Sequence, residues 1–238
     1  MNQLTTPAII LSRTDFGEAD RIITLLTPEF GKLRLLARGV RRVKSKLAGG
    51  IELFSVSTIT FARGRGEIGT LVSTRLVKHY GKIVGNLERT MFGYELIKQL
   101  NKITEDEPEP EYFDLLQQAF EALDDAAIPL PLVRLWFSAQ LLRLGGHAPN
   151  LQTDAAGDRL KLGHAYNFDF DSMAFAPAQN QNGQNARPEQ FSPEHIKFLR
   201  LAFVGNAPRL LAKVQGSAGL TAQAAPLVAT MLRDHLRV

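Results

Sequence analysis

Between Lys32 and Lys46 the chain carries seven cations, Lys32, Arg34, Arg38, Arg41, Arg42, Lys44 and Lys46, and no acid. Five of them fall within the nine residues 38–46. Side chains of these types do one chemistry well, which is to hold phosphate oxygens. A guanidinium grips a phosphate with two parallel hydrogen bonds, and an ammonium supplies a compact point charge. Arg63 and Arg65 make a second cationic turn in FARGRGE (61–67). A run of cations is also the mark of a merely solvated surface. The absence of acids, the second cationic turn and the repulsion that such a cluster suffers without a partner favour a phosphate-binding surface. Phe16 and Phe30, in expected turns, are the candidates for stacking on bases, whereas Phe54 and Phe61 lie in strong strand patterns and are expected in the core. Backbone binding without strong sequence preference is the expectation.

The elements that must position these residues are read from periodicity. Segments 8–13, 20–27 and 31–38 are short and rich in Ile and Leu, separated by DFGE and PEFG, which supply glycine and proline at the turns. Segment 51–62 alternates with Ile51, Leu53, Ile59 and Phe61 on one face, and GRGE turns it into 68–80. Five strands with one longer connection at 39–50 fit a small barrel such as the OB-fold. An SH3-like barrel has a similar strand count, and periodicity does not separate the two. Lys32 and Arg34 alternate along the third strand and so share a face. Arg38 continues it, and the remaining cations lie in the 39–50 connection.

Beyond Lys82 the period changes to that of helices. Segment 85–103 places Leu87, Met91, Tyr94 and Ile97 three to four residues apart; 111–126 does so with Phe113, Leu116, Phe120 and Leu123; 129–146 ends in Gly145-Gly146. TEDEPEPE (104–111) between the first two is an acidic loop. Residues 147–190 lose regularity and include the polar run QNQNGQNARPEQ (179–190), a candidate for disorder. Helix signals return with Ser192 as N-cap and Pro193 at the first helical position, then at 207–214 and 224–238. The expected class is α+β: an N-terminal OB-fold β-barrel at 1–80, then an α-helical domain at 82–238 with an irregular insertion at about 147–190.

Charge follows the same division. Residues 1–85 hold 14 Lys/Arg against 6 Asp/Glu, and the other 153 hold 14 against 18. A basic first part implies an anionic partner, most commonly nucleic acid. The chain has no cysteine, which excludes disulfides, thiolate catalysis and cysteine-ligated metal. No basic and apolar leader opens the sequence, and no apolar run approaches the roughly 20 residues of a membrane span. A cytoplasmic protein is expected.

No catalytic constellation emerges. Asp169 and Asp171 in NFDFDSM have the look of paired metal-binding carboxylates, but alternating acids on a surface strand or turn account for them. The five histidines lack metal-site spacing, and GRGEIG lacks the lysine of a phosphate-binding loop and leads into a strand. The third helix offers Arg134, Trp136 and Arg143 beside a strongly apolar sequence. They suit an acidic partner tail if Trp136 is accessible, and a plain helical core if it is not.

Segment 17–54, GEADRIITLLTPEFGKLRLLARGVRRVKSKLAGGIELF, resembles the N-terminal signature of the RecO family of bacterial recombination mediators. The features that carry this are Gly17-Glu18 with Asp20-Arg21, Thr27-Pro28-Glu29 with Gly31-Lys32, Ala37-Arg38-Gly39, Arg41-Arg42, Ser45 with Leu47, and Phe54. The resemblance implies an OB-fold and a helical region, binding of single- and double-stranded DNA, and annealing of complementary strands. It also implies help in loading recombinase onto strands coated by single-strand-binding protein. The partners it implies are RecR and the acidic C-terminal tail of single-strand-binding protein. Many members carry a four-cysteine zinc motif; here PNLQTDAAGD (149–158) has Asp154 and Gly157 at the first pair, so no zinc site of that kind and no cofactor is expected.

Two functions are therefore carried forward. One is a non-enzymatic DNA-binding mediator using Lys32, Arg34, Arg38, Arg41, Arg42, Lys44 and Lys46, with Arg63 and Arg65 in second place. The other is a protein-interaction adapter whose helical domain captures an acidic tail while its basic barrel contributes little, with little DNA binding.

Overall fold

In a computed structural model of the chain, the residues described are 3–64, 66–107, 109–161, 163–178 and 190–236. They form two compact units, 1–126 and 127–238. The first contains β1 (Gln3–Phe16), β2 (Asp20–Thr27), β3 (Gly31–Ala37), a 3-10 turn (Ala48–Gly50), β4 (Ser55–Ala62) and β5 (Ile68–His79), followed by α1 (Gly81–Val84), α2 (Leu87–Ile103) and α3 (Pro110–Asp124).

The five strands close into a barrel in the order β1-β2-β3-β5-β4, with β4 returning to β1. Within the barrel only β3 and β5 pair in parallel, and its other ladders are antiparallel. This is the OB-fold, and the strand order settles the choice that periodicity left open. Side chains alternate as a half-buried strand requires: Ile23 and Leu25, Leu35 and Ala37, and Ile59 and Phe61 fill the barrel. On β3 the intervening positions, Lys32 and Arg34, point away from that core.

Several residues of the 17–54 signature prove to be builders of this barrel. Thr27 is fully buried, and its hydroxyl donates to the Gly31 carbonyl at 2.9 Å and accepts the Phe30 N–H at 3.1 Å, closing the β2–β3 turn. Gly31 lies at φ +63°, where a side chain is disfavoured. Phe54, also at positive φ and 1% exposed, stands edge-on to Tyr94 and Phe120 with centroids at 5.1 and 5.5 Å. A Cβ on Gly93 would approach the Phe54 ring to 2.6 Å, so the glycine lets α2 close onto it. These contacts bind α2 and α3 to the barrel. The compact unit accordingly runs to Ala126 and includes these helices with the barrel.

Of the four residues expected on the inner face of α2, Ile97 alone is buried. Phe92, Gly93, Leu96, Ile97 and Leu100 are buried, whereas Leu87, Met91 and Tyr94 are 75%, 64% and 50% exposed. Two apolar stripes run along this helix, and the one carrying Phe92 and Leu96 meets the barrel.

The second unit contains α4 (Leu130–Leu144), β6 (Asn150–Asp154), β7 (Tyr166–Asp169), β8 (Ala174–Pro177), α5 (Pro193–Val204), α6 (Pro208–Leu211) and α7 (Ser217–His235). Helix α4 is buried on most sides and packs against α5, α6 and α7. The buried Gln140 amide donates to the carbonyls of Ala202 and Phe203, holding the end of α5, which stops at Gly205 with φ 96°. Ser192 caps α5 as expected, and its N–H donates to His195 Nδ1 at 3.1 Å. Burial holds the His195 imidazole below its ordinary pKa. The final helix starts at Ser217, well before 224, with Pro226 inside it.

The insertion is more ordered than its composition suggests. It holds a three-stranded sheet, β6-β8-β7, packed by Phe168, Phe175 and Phe191 in edge-on pairs. Of the polar run, residues 179–189 lie outside the described residues. Among the described residues no helix is long and apolar enough to cross a membrane.

Candidate nucleic-acid interface

The 39–50 connection is a shaped loop built on backbone bonds. Gly39 turns the chain at φ +63°, and its N–H donates to the Asp20 carboxylate at 2.7 Å. The Arg41 N–H donates to the Ala19 carbonyl at 3.0 Å, so the loop is tied to the β1–β2 turn. Val40 and Ile51 are sunk into the barrel as apolar anchors. Further on, the Thr74 hydroxyl donates to the Leu47 carbonyl at 3.2 Å, and Gly50 leaves room for Thr74 against the 3-10 turn.

With backbone and apolar side chains holding the loop, its cations are left outside. Arg38, Arg41, Arg42, Lys44 and Lys46 are all exposed. Of the five, Arg41 meets a carboxylate: its guanidinium lies 3.4 Å from Asp15, which also accepts from Arg21 at 2.7 Å. The hydrogen bond from Arg21 and the charge of Arg41 hold the Asp15 carboxyl below its usual range. The sequence marks Arg21 only as part of the 17–54 signature, and nothing in it singles out Asp15. Arg21 pairs across the ladder with Ala37, beside Arg38, so it belongs to the same cationic neighbourhood. Phe16, 53% exposed at the end of β1, adjoins the Gly17 carbonyl that accepts from Arg41 at 3.5 Å. This places an exposed aromatic beside the loop.

A second cationic place lies farther down β3. Arg34 and Arg63 line a shallow depression of about 170 Å³ with Leu33, Phe61 and Glu67. The Arg63 guanidinium carbon stands 5.4 Å from the Phe30 ring centroid, and Phe30 in turn packs edge-on to Phe61 at 5.5 Å. Phe30 is therefore a support for Arg63 through a cation–π contact. Arg65 lies outside the described residues. Lys32 is employed elsewhere: its ammonium donates to the carbonyls of Asn101 and Thr104 at 3.1 and 2.5 Å, at the C-terminal end of α2. There it meets the negative end of the helix dipole and orphan carbonyls.

Comparison with known proteins gives the family. The family model described as Recombination protein O N terminal matches residues 1–80, and Recombination protein O C terminal matches residues 87–238. The chain belongs to the RecO family. Relatives include the DNA repair protein RecO of Dehalococcoides mccartyi strain 195, 30% identical over 206 residues, which are 86% of this chain and 80% of that protein. The DNA repair protein RecO of Listeria welshimeri is 28% identical over 204 residues, 85% of this chain and 78% of that protein. That of Rhodopirellula baltica is 35% identical over 147 residues, 61% and 54% of the two chains. The barrel thus carries its exposed cations within a family of DNA repair proteins.

In this RecO-family chain, Asp154 closes a turn in the insertion. Its carboxylate accepts the N–H groups of Ala156 and Asp158 at 3.0 and 2.9 Å. Among the described residues no group of three or more His, Cys, Asp or Glu could hold a metal ion. Asp169 closes a turn, accepting from the Ser172 hydroxyl at 2.6 Å and from the Asp171 N–H at 3.2 Å, as expected of acids on a surface strand or turn.

The three α4 residues are not brought together. Trp136 is 1% exposed, inside the helical core, while Arg134 and Arg143 are exposed. Nine positions apart on a helix, the two arginines lie about half a turn out of phase and about 13 Å apart along the axis. Elsewhere in the second unit, Arg159, Lys197 and Arg200 line a depression of about 480 Å³ whose floor is Leu160, Pro193 and Ile196. The Arg200 guanidinium is fixed by donating to the Leu151 carbonyl.

Proposed function

We propose that this protein is a non-enzymatic DNA-binding mediator that anneals complementary strands and assists recombinase loading on single strands coated by single-strand-binding protein. The observation that carries this reading is the 38–46 loop, five exposed cations on a backbone anchored by Asp20, Ala19 and Val40. Cations held outward in this way screen the repulsion between two approaching strands, so that bases sample pairing without any hydrolysis. Binding is driven by release of counterions, and every phosphate neutralised adds to its salt dependence. In this proposal the protein works on DNA at the nucleoid, in the cytoplasm. The test is annealing of two complementary oligonucleotides followed by fluorescence. Wild-type protein should accelerate duplex formation, and the variant with Arg38, Arg41 and Arg42 changed to alanine should return the rate near the spontaneous one. Equal acceleration by both proteins would sink the assignment.

The adapter reading is favoured by a different observation, the cationic depression of the second unit. Its apolar floor and its three cations, with no acid in the lining, match an acidic peptide ending in an apolar residue, the chemistry of the tail of single-strand-binding protein. Tail capture and DNA binding belong to one mediator in this proposal, together with RecR. A labelled acidic peptide with a free carboxylate should bind wild type and lose at least tenfold in affinity on changing Arg159 and Lys197 to alanine. If the loss follows Arg134→Ala and Arg143→Ala instead, the tail lies on α4. Co-elution with RecR on a sizing column tests the remaining partnership, and separate elution counts against it.

A further inference from the structure

The negative charge of this chain is concentrated in one place. Residues 86–126 hold 11 Asp/Glu against 3 Lys/Arg, whereas 127–238 hold 7 against 11. The acidic stretch therefore belongs to the same compact unit as the basic barrel. Its densest part, Glu105, Asp106 and Glu107, follows α2, and all three side chains are exposed.

That segment is clamped to the start of β3 by its backbone. The Lys32 N–H donates to the Glu105 carbonyl at 3.0 Å, and the Lys32 ammonium holds the carbonyls of Asn101 and Thr104. Gly31 completes the clamp, because a Cβ there would overlap the carbonyl oxygens of Asp106 and Glu107. The carboxylates have no part in these bonds, so their charge is held at a fixed place. Arg34 lies three residues along β3 from Gly31, about 10 Å, and Arg38 lies seven residues along, about 23 Å. The first distance is comparable with the screening length at physiological salt, about 8 Å, and the second is well beyond it.

We propose that Glu105, Asp106 and Glu107 are specificity-determining residues that form an electrostatic boundary to the strand-binding face. They turn phosphates away from the Gly31 end of β3, so that a bound strand runs from the Arg34–Arg63 depression towards the 38–46 loop. This rests on the DNA-binding reading above and adds a path to it. Clamping by the backbone is what makes the boundary work: a free acidic loop would swing aside from an approaching phosphate, or fold onto the cations itself.

The experiment is single-strand binding by the triple variant Glu105→Gln/Asp106→Asn/Glu107→Gln, which keeps every clamping carbonyl. Three like charges removed at about 10 Å should raise affinity about five- to tenfold at 20 mM salt, and by less than about twofold at 0.3 M. Glu88→Gln, at the other end of α2 and about 25 Å along the helix from Glu105, lies outside the clamped segment and should change affinity by less than about 1.5-fold. Unchanged or weaker binding by the triple variant, or an equal gain per charge from Glu88→Gln, overturns the boundary. If wild type itself fails to bind at 20 mM salt, the DNA-binding reading falls and takes this one with it.

Discussion

Changing Arg38, Arg41 and Arg42 together to alanine is expected to weaken single-strand binding about a hundredfold at 0.1 M salt. Each phosphate neutralised on a single strand contributes a log–log salt slope of roughly 0.7, so each is worth about 0.7 log units on going from 1 M to 0.1 M. Leaving three phosphates without their arginines therefore removes about two log units of affinity. The fold should survive, because the bonds that shape the loop come from the backbone: Gly39 N–H to Asp20, Arg41 N–H to Ala19, and Arg42 N–H to the Gly39 carbonyl at 3.1 Å. Asp15 keeps Arg21 as its partner. A thermal midpoint within about 5 °C of wild type would accompany the weaker binding if the three side chains act on DNA alone, since exposed substitutions of this kind stay within about 0.5 kcal/mol each. Arg41 shares its charge with Asp15, so it should be the weakest single contributor of the three.

Phe54→Ala should have the largest effect on stability. The ring is 1% exposed and fills the space among Tyr94, Phe120 and the bare backbone of Gly93. Truncating a buried phenylalanine costs about 3–5 kcal/mol, through lost burial and the cavity left behind. In a unit of this size that corresponds to a fall in thermal midpoint of roughly 10–20 °C, read by circular dichroism. Phe54→Leu, which refills most of the space, should recover more than half of it. A fall of only a few degrees in the alanine variant would mean that α2 and the barrel are held together by something other than this aromatic cluster.

The barrel is legible in the sequence because its information is local. Each hairpin has glycine in its turn, strands such as 20–27 and 31–38 are short and rich in Ile and Leu, and 51–62 puts Ile51, Leu53, Ile59 and Phe61 on one face. What stays hidden depends on partners distant in sequence. Lys32 reads as one more cation of a run, and nothing nearby says that its ammonium meets carbonyls some 70 residues later. The face of α2 is misread because Leu87, Met91 and Tyr94 have helical spacing as good as that of Phe92, Leu96 and Leu100; the barrel surface chooses between the two stripes. The sheet in the insertion escapes notice because β7 and β8 have four residues each, too few for a period to emerge. Trp136 can be weighed either way from sequence, and its burial decides for the helical core.

The loop itself can be read as cationic, but not as anchored. Asp20 looks like a strand-start acid and Gly39 like a turn glycine, and the bond between them is what presents the arginines. In the same way, an acidic loop recognisable from TEDEPEPE becomes a boundary only because Gly31 and Lys32 fix it.

The most direct test of the phosphate-binding loop is the salt dependence of single-strand affinity, measured by fluorescence anisotropy from about 0.05 to 0.5 M salt. Five phosphates held by the loop predict a log–log slope of about −3.5 for wild type and about −1.4 for the Arg38/Arg41/Arg42 triple alanine variant. A wild-type slope near zero, or the same slope in both proteins, would contradict the account and leave the loop a solvated surface.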